Sequence, residues 1–182
     1  MRLITASFLL ISLTLLVSCN PTLEKAQEYA TATEDKGVKF YSELANLCSP
    51  GYFLNYGKSQ IFWNGKGWRI NTDLNVSLGA EARSVEEAIR SSRRDIAGFM
   101  ECMFVADKYD QVADIQVKLT FRDIEDLFNP LTLGVYRIQI EKLDELDNWK
   151  EKPPFLDRHR VSQFIESNME TVHEDWSEII LE

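Results

Sequence analysis

The side chains that could carry chemistry in this chain are few and scattered. Two histidines are present, His159 and His173, and three cysteines, Cys19, Cys48 and Cys102. Glu170-Thr171-Val172-His173 has the Glu-x-x-His spacing of carboxylate-bridged metal sites, which need a second such pair and further glutamates on facing helices. The sequence has no second pair, so no metal site is expected. No serine stands in a nucleophile-elbow context, and no glycine-rich loop follows a strand to cradle phosphate. Glu86/Glu87 and Glu125/Asp126 are adjacent acids. Neighbours diverge by about 100° on a helix and oppose each other on a strand, so neither pair makes a converging catalytic dyad by itself. The expectation is no catalytic residue and no cofactor.

The elements that would position these groups follow from periodicity. Residues 19–37 are polar with sparse apolar positions (Leu23, Ala26, Tyr29, Ala30) and are expected to form a tether, in part helical. Val38, Tyr41, Leu44, Ala45 and Cys48 stand at helical spacing, and Ser49-Pro50-Gly51 ends that helix. Tyr52, Leu54 and Tyr56 alternate as a strand, followed by Ser59 to Trp63; Trp68 to Leu78 then alternates strictly. Between them Asn64-Gly65-Lys66-Gly67 supplies the glycines of a tight hairpin, which would place Trp63 opposite Trp68 and Ile61 opposite Ile70. Trp63 and Trp68 are either an aromatic platform for carbohydrate or peptide, or a cross-strand packing pair.

Ser84-Val85-Glu86-Glu87 is a capping box that opens a helix from Val85 to Phe104. Its apolar stripe is Val85, Ile89, Ser92, Ile96, Phe99 and Met103; Arg90, Arg93 and Arg94 lie opposite, as an anion site or as a solvated face paired with local carboxylates. Ala113 to Phe121 and Tyr136 to Ile140 alternate and should pair antiparallel across a short connection. Asp144 to Pro154 reads as a loop, and Asp157 caps a last helix lined by Val161, Ile165, Asn168, Val172, Trp176 and Ile179. The fold class is α+β: an antiparallel sheet of about five strands with helices on one face, in the order α-β-β-β-α-β-β-α.

Met1-Arg2 followed by an apolar run from Leu3 to Val17 is a targeting segment, short for a membrane span. It ends in Leu16-Val17-Ser18-Cys19, which resembles the lipobox of bacterial lipoproteins. The resemblance implies that residues 1–18 are cleaved and that Cys19 is acylated and becomes the first mature residue. Acyl chains on Cys19, as in palmitate attachment, would hold the protein on a membrane. Asn20 rather than Asp after the cysteine implies the outer membrane, facing the periplasm, rather than the inner membrane. With Cys19 lipidated, an extracytoplasmic compartment permits one disulfide between the two cysteines left, Cys48 and Cys102.

The domain is then 38–182, long enough for one core and too short for two. A net charge of −9 and a pI near 4.8 do not suit nucleic acid or anionic headgroups. Between Asp144 and Glu182 eleven acids face four basic residues, so most of the negative charge is C-terminal. The expected function is a non-catalytic protein-binding module, an inhibitor, immunity protein or envelope-assembly subunit. Its contact surface would be Glu174, Asp175, Trp176 and Glu178 on an acidic helix that meets a basic partner. The alternatives are a small-ligand or lipid-binding lipoprotein with a cavity between sheet and helices, and an envelope hydrolase whose carboxylates converge only in the fold.

Overall fold

The computed structural model describes residues 21–34, 37–49, 59–76, 84–121, 130–150, 159–177 and 179. The lipobox with Cys19, the strand expected at Tyr52–Tyr56 and Glu178 lie outside the described residues. Helix α1 spans Pro21–Ala32, which corrects the expected tether. Its apolar positions are a narrow stripe of small side chains, so the helix sits close on its neighbours and buries Ala26 and Ala30 completely. Tyr29 stacks on Phe40 with ring centroids 5.6 Å apart, and Lys108 Nζ donates to Thr33 O at 2.7 Å. Residues from Pro21 to Thr33 therefore belong to the folded domain. Helix α2, Val38–Cys48, turns Phe40, Tyr41, Leu44, Ala45 and Cys48 inward, while Val38 is half exposed.

Strands β1 (Gln60–Trp63) and β2 (Trp68–Val76) form the expected hairpin, with Ile61 opposite Ile70 and Trp63 opposite Trp68. The local chemistry is sufficient to close it. Asn64 Oδ1 accepts from Lys66 N and Gly67 N, and Gly65 takes φ +92°, a left-handed conformation open to glycine. Gly67 answers a different need: a Cβ there would stand 2.5 Å from Gln111 O and 2.7 Å from Ala113 Cβ. The hairpin tip closes against the chain that enters the next strand.

Helix α3, Val85–Ala106, starts at Ser84, whose Oγ accepts from Glu87 N at 3.1 Å. It leads to β3 (Val112–Phe121), which pairs antiparallel with β4 (Leu131–Gln139). The sheet order is β1-β2-β3-β4-β5. The expected α+β class with a five-stranded sheet holds, and all its pairs are antiparallel except β2 with β3, so the expectation is corrected only at that one parallel pair. The reason is the connection: the stretch that contains α3 is long enough to carry the chain back over the sheet and start β3 in the same direction as β2.

After a short helix α4 (Ile140–Leu143), helix α5 covers only Arg160–Asn168. The expected long terminal helix stops there, and Glu170–Glu174 forms β5, antiparallel to β4. Of the expected stripe Val161 and Ile165 are buried in the helix, whereas Asn168 and Val172 are exposed, and Trp176 is buried from beyond the strand, so the helical lining is corrected after Ile165. Beyond it β-branched Thr171 and Val172 favour extended backbone, and the open edge of β4 supplies the hydrogen bonds. One core joins the layers: Ile70, Leu74, Ile115, Val117, Leu119 and Tyr136 from the sheet meet Phe40, Leu44, Ile96, Phe99, Met100 and Met103 from the helices.

Candidate functional site

Cys48 and Cys102 form a disulfide, S–S 2.08 Å, that ties α2 to α3 inside this core. Both cysteines are buried, so the bond is a structural one.

The C-terminal acids are arranged differently from the expected helix. Trp176 is 6 % exposed and packs in the core, which removes it from any contact surface. Glu174 accepts from the Tyr136 hydroxyl at 2.5 Å and stands 3.7 Å from Arg93 Nη1. Arg93 also donates to Thr171 Oγ1 at 2.9 Å, and its guanidinium lies 5.4 Å from the Tyr136 ring centre. Gly134 makes room for that ring, since a Cβ there would be 2.6 Å from Tyr136 Cε2. Burial, followed by the hydrogen bond to Glu174, raises the Tyr136 pKa and keeps the phenol a donor. Of the three arginines expected to pair locally, Arg93 thus fastens α3 to β5, a contact between residues 78 positions apart that sequence spacing cannot reveal. Asp175 accepts from Ser177 N and Oγ in a local turn. These contacts hold β5 as an edge strand on which all five residues are exposed, with Val172 54 % exposed at an irregularity in the β4–β5 register. Glu170 and His173 lie on that strand, so the helical Glu-x-x-His geometry of a metal site is lost; among the described residues no group of three or more His, Cys, Asp or Glu is placed to hold a metal ion.

At the opposite edge Trp63 meets Trp68 edge-on with centroids 5.5 Å apart. The pair divides its roles: Trp68 packs on Tyr41, 5.4 Å between centroids, while Trp63 remains 52 % exposed. The sheet face away from the helices is polar. Asp114 is its one deeply buried carboxylate among the described residues, 2 % exposed, held bidentately by Arg137 (2.9 and 2.6 Å) and paired with Arg69. The hydrogen bond to Asp114 raises the Arg137 pKa. A cleft of about 390 Å³ lies against Tyr29, Thr33, Lys39 and Glu43. Its lining mixes the Tyr29 ring with the hydroxyl of Thr33, the amine of Lys39 and the carboxylate of Glu43.

One titratable group sits in a helix interface. Burial of Glu101 on α3, partly offset by its hydrogen bond with Ser162 of α5, pushes its carboxyl from the usual 4.5 up to about 7. A raised pKa means that the group's stabilising contribution is complete below pH 4.5 and is lost as the pH rises through 7. The wild-type protein should therefore lose stability relative to Glu101→Gln between pH 5 and 8, by on the order of 3 kcal/mol. Parallel urea titrations across that range check it, and a constant difference between the two proteins would refute it.

No protein-family model matches the sequence, and comparison with curated proteins and with solved structures found no match. The functional reading rests on the chain itself.

Proposed function

We propose that this protein is a lipid-anchored, non-catalytic protein-binding module of the bacterial envelope, held by acyl chains on Cys19 at the outer membrane and facing the periplasm. The observation that carries the binding half of this reading is strand β5. It ends the sheet, exposes every residue, and combines Glu170, His173 and the half-exposed Val172 with the neighbouring Asp175. An acidic edge with an apolar residue at its centre suits a basic partner: charge speeds and orients the encounter, and the buried apolar contact holds it. The surface replaces the expected one, because Trp176 is interior and Glu174 is tied to Tyr136 and Arg93. The Cys48–Cys102 bond supports an extracytoplasmic location, since such compartments allow structural disulfides to persist.

The test uses the full chain in its own envelope. Wild-type protein should incorporate labelled palmitate and Cys19→Ser should not. Glu170→Lys combined with Val172→Lys should remove the partner captured at low salt while leaving the thermal midpoint within a few degrees of wild type. An unchanged partner set after both substitutions would sink the proposed surface, and label retained by Cys19→Ser would sink the anchor.

A further inference from the structure

Helix α1 leaves the chain no tether. Its first residue, Pro21, follows Cys19 with only Asn20 between them, and the helix belongs to the domain from its first turn. Leu23 packs against the core, Ala26 and Ala30 are buried, and Tyr29 stacks on Phe40. The far end is fastened as well, since Thr33 O accepts from Lys108 Nζ and from the Tyr109 hydroxyl, just past α3. Helix α1 therefore cannot swing out as a linker without opening the core around it. Covalent geometry then sets the distance: a chain advances about 3.6 Å per residue at most, so Cys19 stays within about 7 Å of Pro21. An extended stretch from Asn20 to Lys36, the tether expected, would reach about 60 Å.

We infer that the domain rides directly on the bilayer, with the first turn of α1 held at the phospholipid headgroups. The inference rests on the acylation of Cys19 proposed above. Acyl chains lie in the hydrocarbon, and the headgroup layer outside it is about 5–7 Å thick on each side, so a link of about 7 Å puts Pro21 at the outer boundary of that layer. Affinity for headgroups is not required. The exposed residues of α1 nearest the anchor, Glu24, Lys25, Gln27 and Glu28, are polar and carry more negative than positive charge, so the covalent link alone holds the seat. The other end of α1 lies about 18 Å further along the helix axis. It stands beside the β1–β2 hairpin, because Asp107 joins Tyr109 N to Gln111 N and Gly67 closes on Gln111 O. That remote end carries Lys66 in the turn and Glu141 3.8 Å from it. A domain of this length has a radius of gyration of about 15 Å, so its surfaces, β5 included, stay within about 40 Å of the bilayer and meet only what comes to the membrane.

The experiment reconstitutes full chain, matured in its own envelope, into vesicles of phosphatidylcholine and phosphatidylethanolamine. A water-soluble carbodiimide then joins carboxylates to headgroup amines at contact distance, and mass spectrometry locates the adducts. Coupling at Glu24 at least fivefold above that at Glu141 is the expected result. That excess should disappear when a flexible glycine-serine linker of about 15 residues is inserted between Asn20 and Pro21. Vesicle-bound wild type that couples Glu24 no more than Glu141, or no more than the linker variant does, overturns the inference and leaves the anchor standing. Cys19→Ser that floats with the vesicles as well as wild type, or wild type that does not float, overturns the anchor and the inference with it. The comparison of Glu24 with Glu141 is made within wild type, so it decides the matter even if the linker variant misfolds.

Discussion

Replacing both Cys48 and Cys102 by alanine should lower the unfolding free energy by about 4 kcal/mol. The bridge closes a loop of 54 residues. On the chain-entropy account a loop of that length removes about 4 kcal/mol of conformational freedom from the unfolded chain. The closed stretch contains all of β1 and β2 and most of α3, so the freedom returned on opening it belongs to the central part of the domain. Buried alanines in place of the half-cystines also lose packing between α2 and α3, which adds to the loss. Urea unfolding of the oxidised wild type and of the double variant measures it. A difference under 1 kcal/mol would show that the unfolded chain was already restricted in this region.

Asp107→Ala should cost a similar amount for a different reason. The carboxylate is 3 % exposed at the C-terminal end of α3 and gathers four donors: the Tyr41 hydroxyl and Tyr109 N on Oδ1, and Gln111 N and Val112 N, both at 2.7 Å, on Oδ2. It converts the end of α3 into the start of β3 and secures α2 through Tyr41. Burial, with Asp107 next in weight, raises the Tyr41 pKa, so the phenol stays protonated and donating. Alanine leaves these donors without an acceptor in a closed environment, and each stranded donor costs about 1–3 kcal/mol before relaxation. The expected loss is about 4 kcal/mol. Asn keeps one acceptor but turns an NH₂ toward Gln111 N and Val112 N, so Asp107→Asn should lose at least about 2 kcal/mol. Thermal and urea unfolding of both variants check the order. If Asn equals wild type, the Oδ2 pair is not what holds the turn.

The features legible in the sequence are those closed by nearby residues. Asn64-Gly65 and Gly67 specify a hairpin because the turn is satisfied within four positions, and its strand register follows. Ser84 with Glu87 specifies the start of α3 in the same way. Asp107 could have been found too: an Asp just past an apolar helical stripe is a turn-forming residue, although its four donors are visible only in the fold.

Residues 169–176 admit two local descriptions. Val172 and Trp176 extend a helical stripe from Val161 and Ile165, yet Thr171 and Val172 suit a strand equally well. The open edge of β4 and the Arg93–Glu174–Tyr136 contacts decided for the strand. Residues 21–32 are the opposite case: alanines give a weak hydrophobic signal but allow close packing, and Ala26 and Ala30 are buried.

By itself the sequence determined the α+β class, the hairpin and the capped helix, because each is fixed by neighbours in the chain. The tertiary structure alone decided that β2 and β3 run parallel, that Glu170–Glu174 is an exposed edge strand while Trp176 lies inside, and that Asp114 binds two arginines from different strands. These depend on which distant surfaces meet, and the energy of such meetings is a property of the assembled core and not of any local pattern.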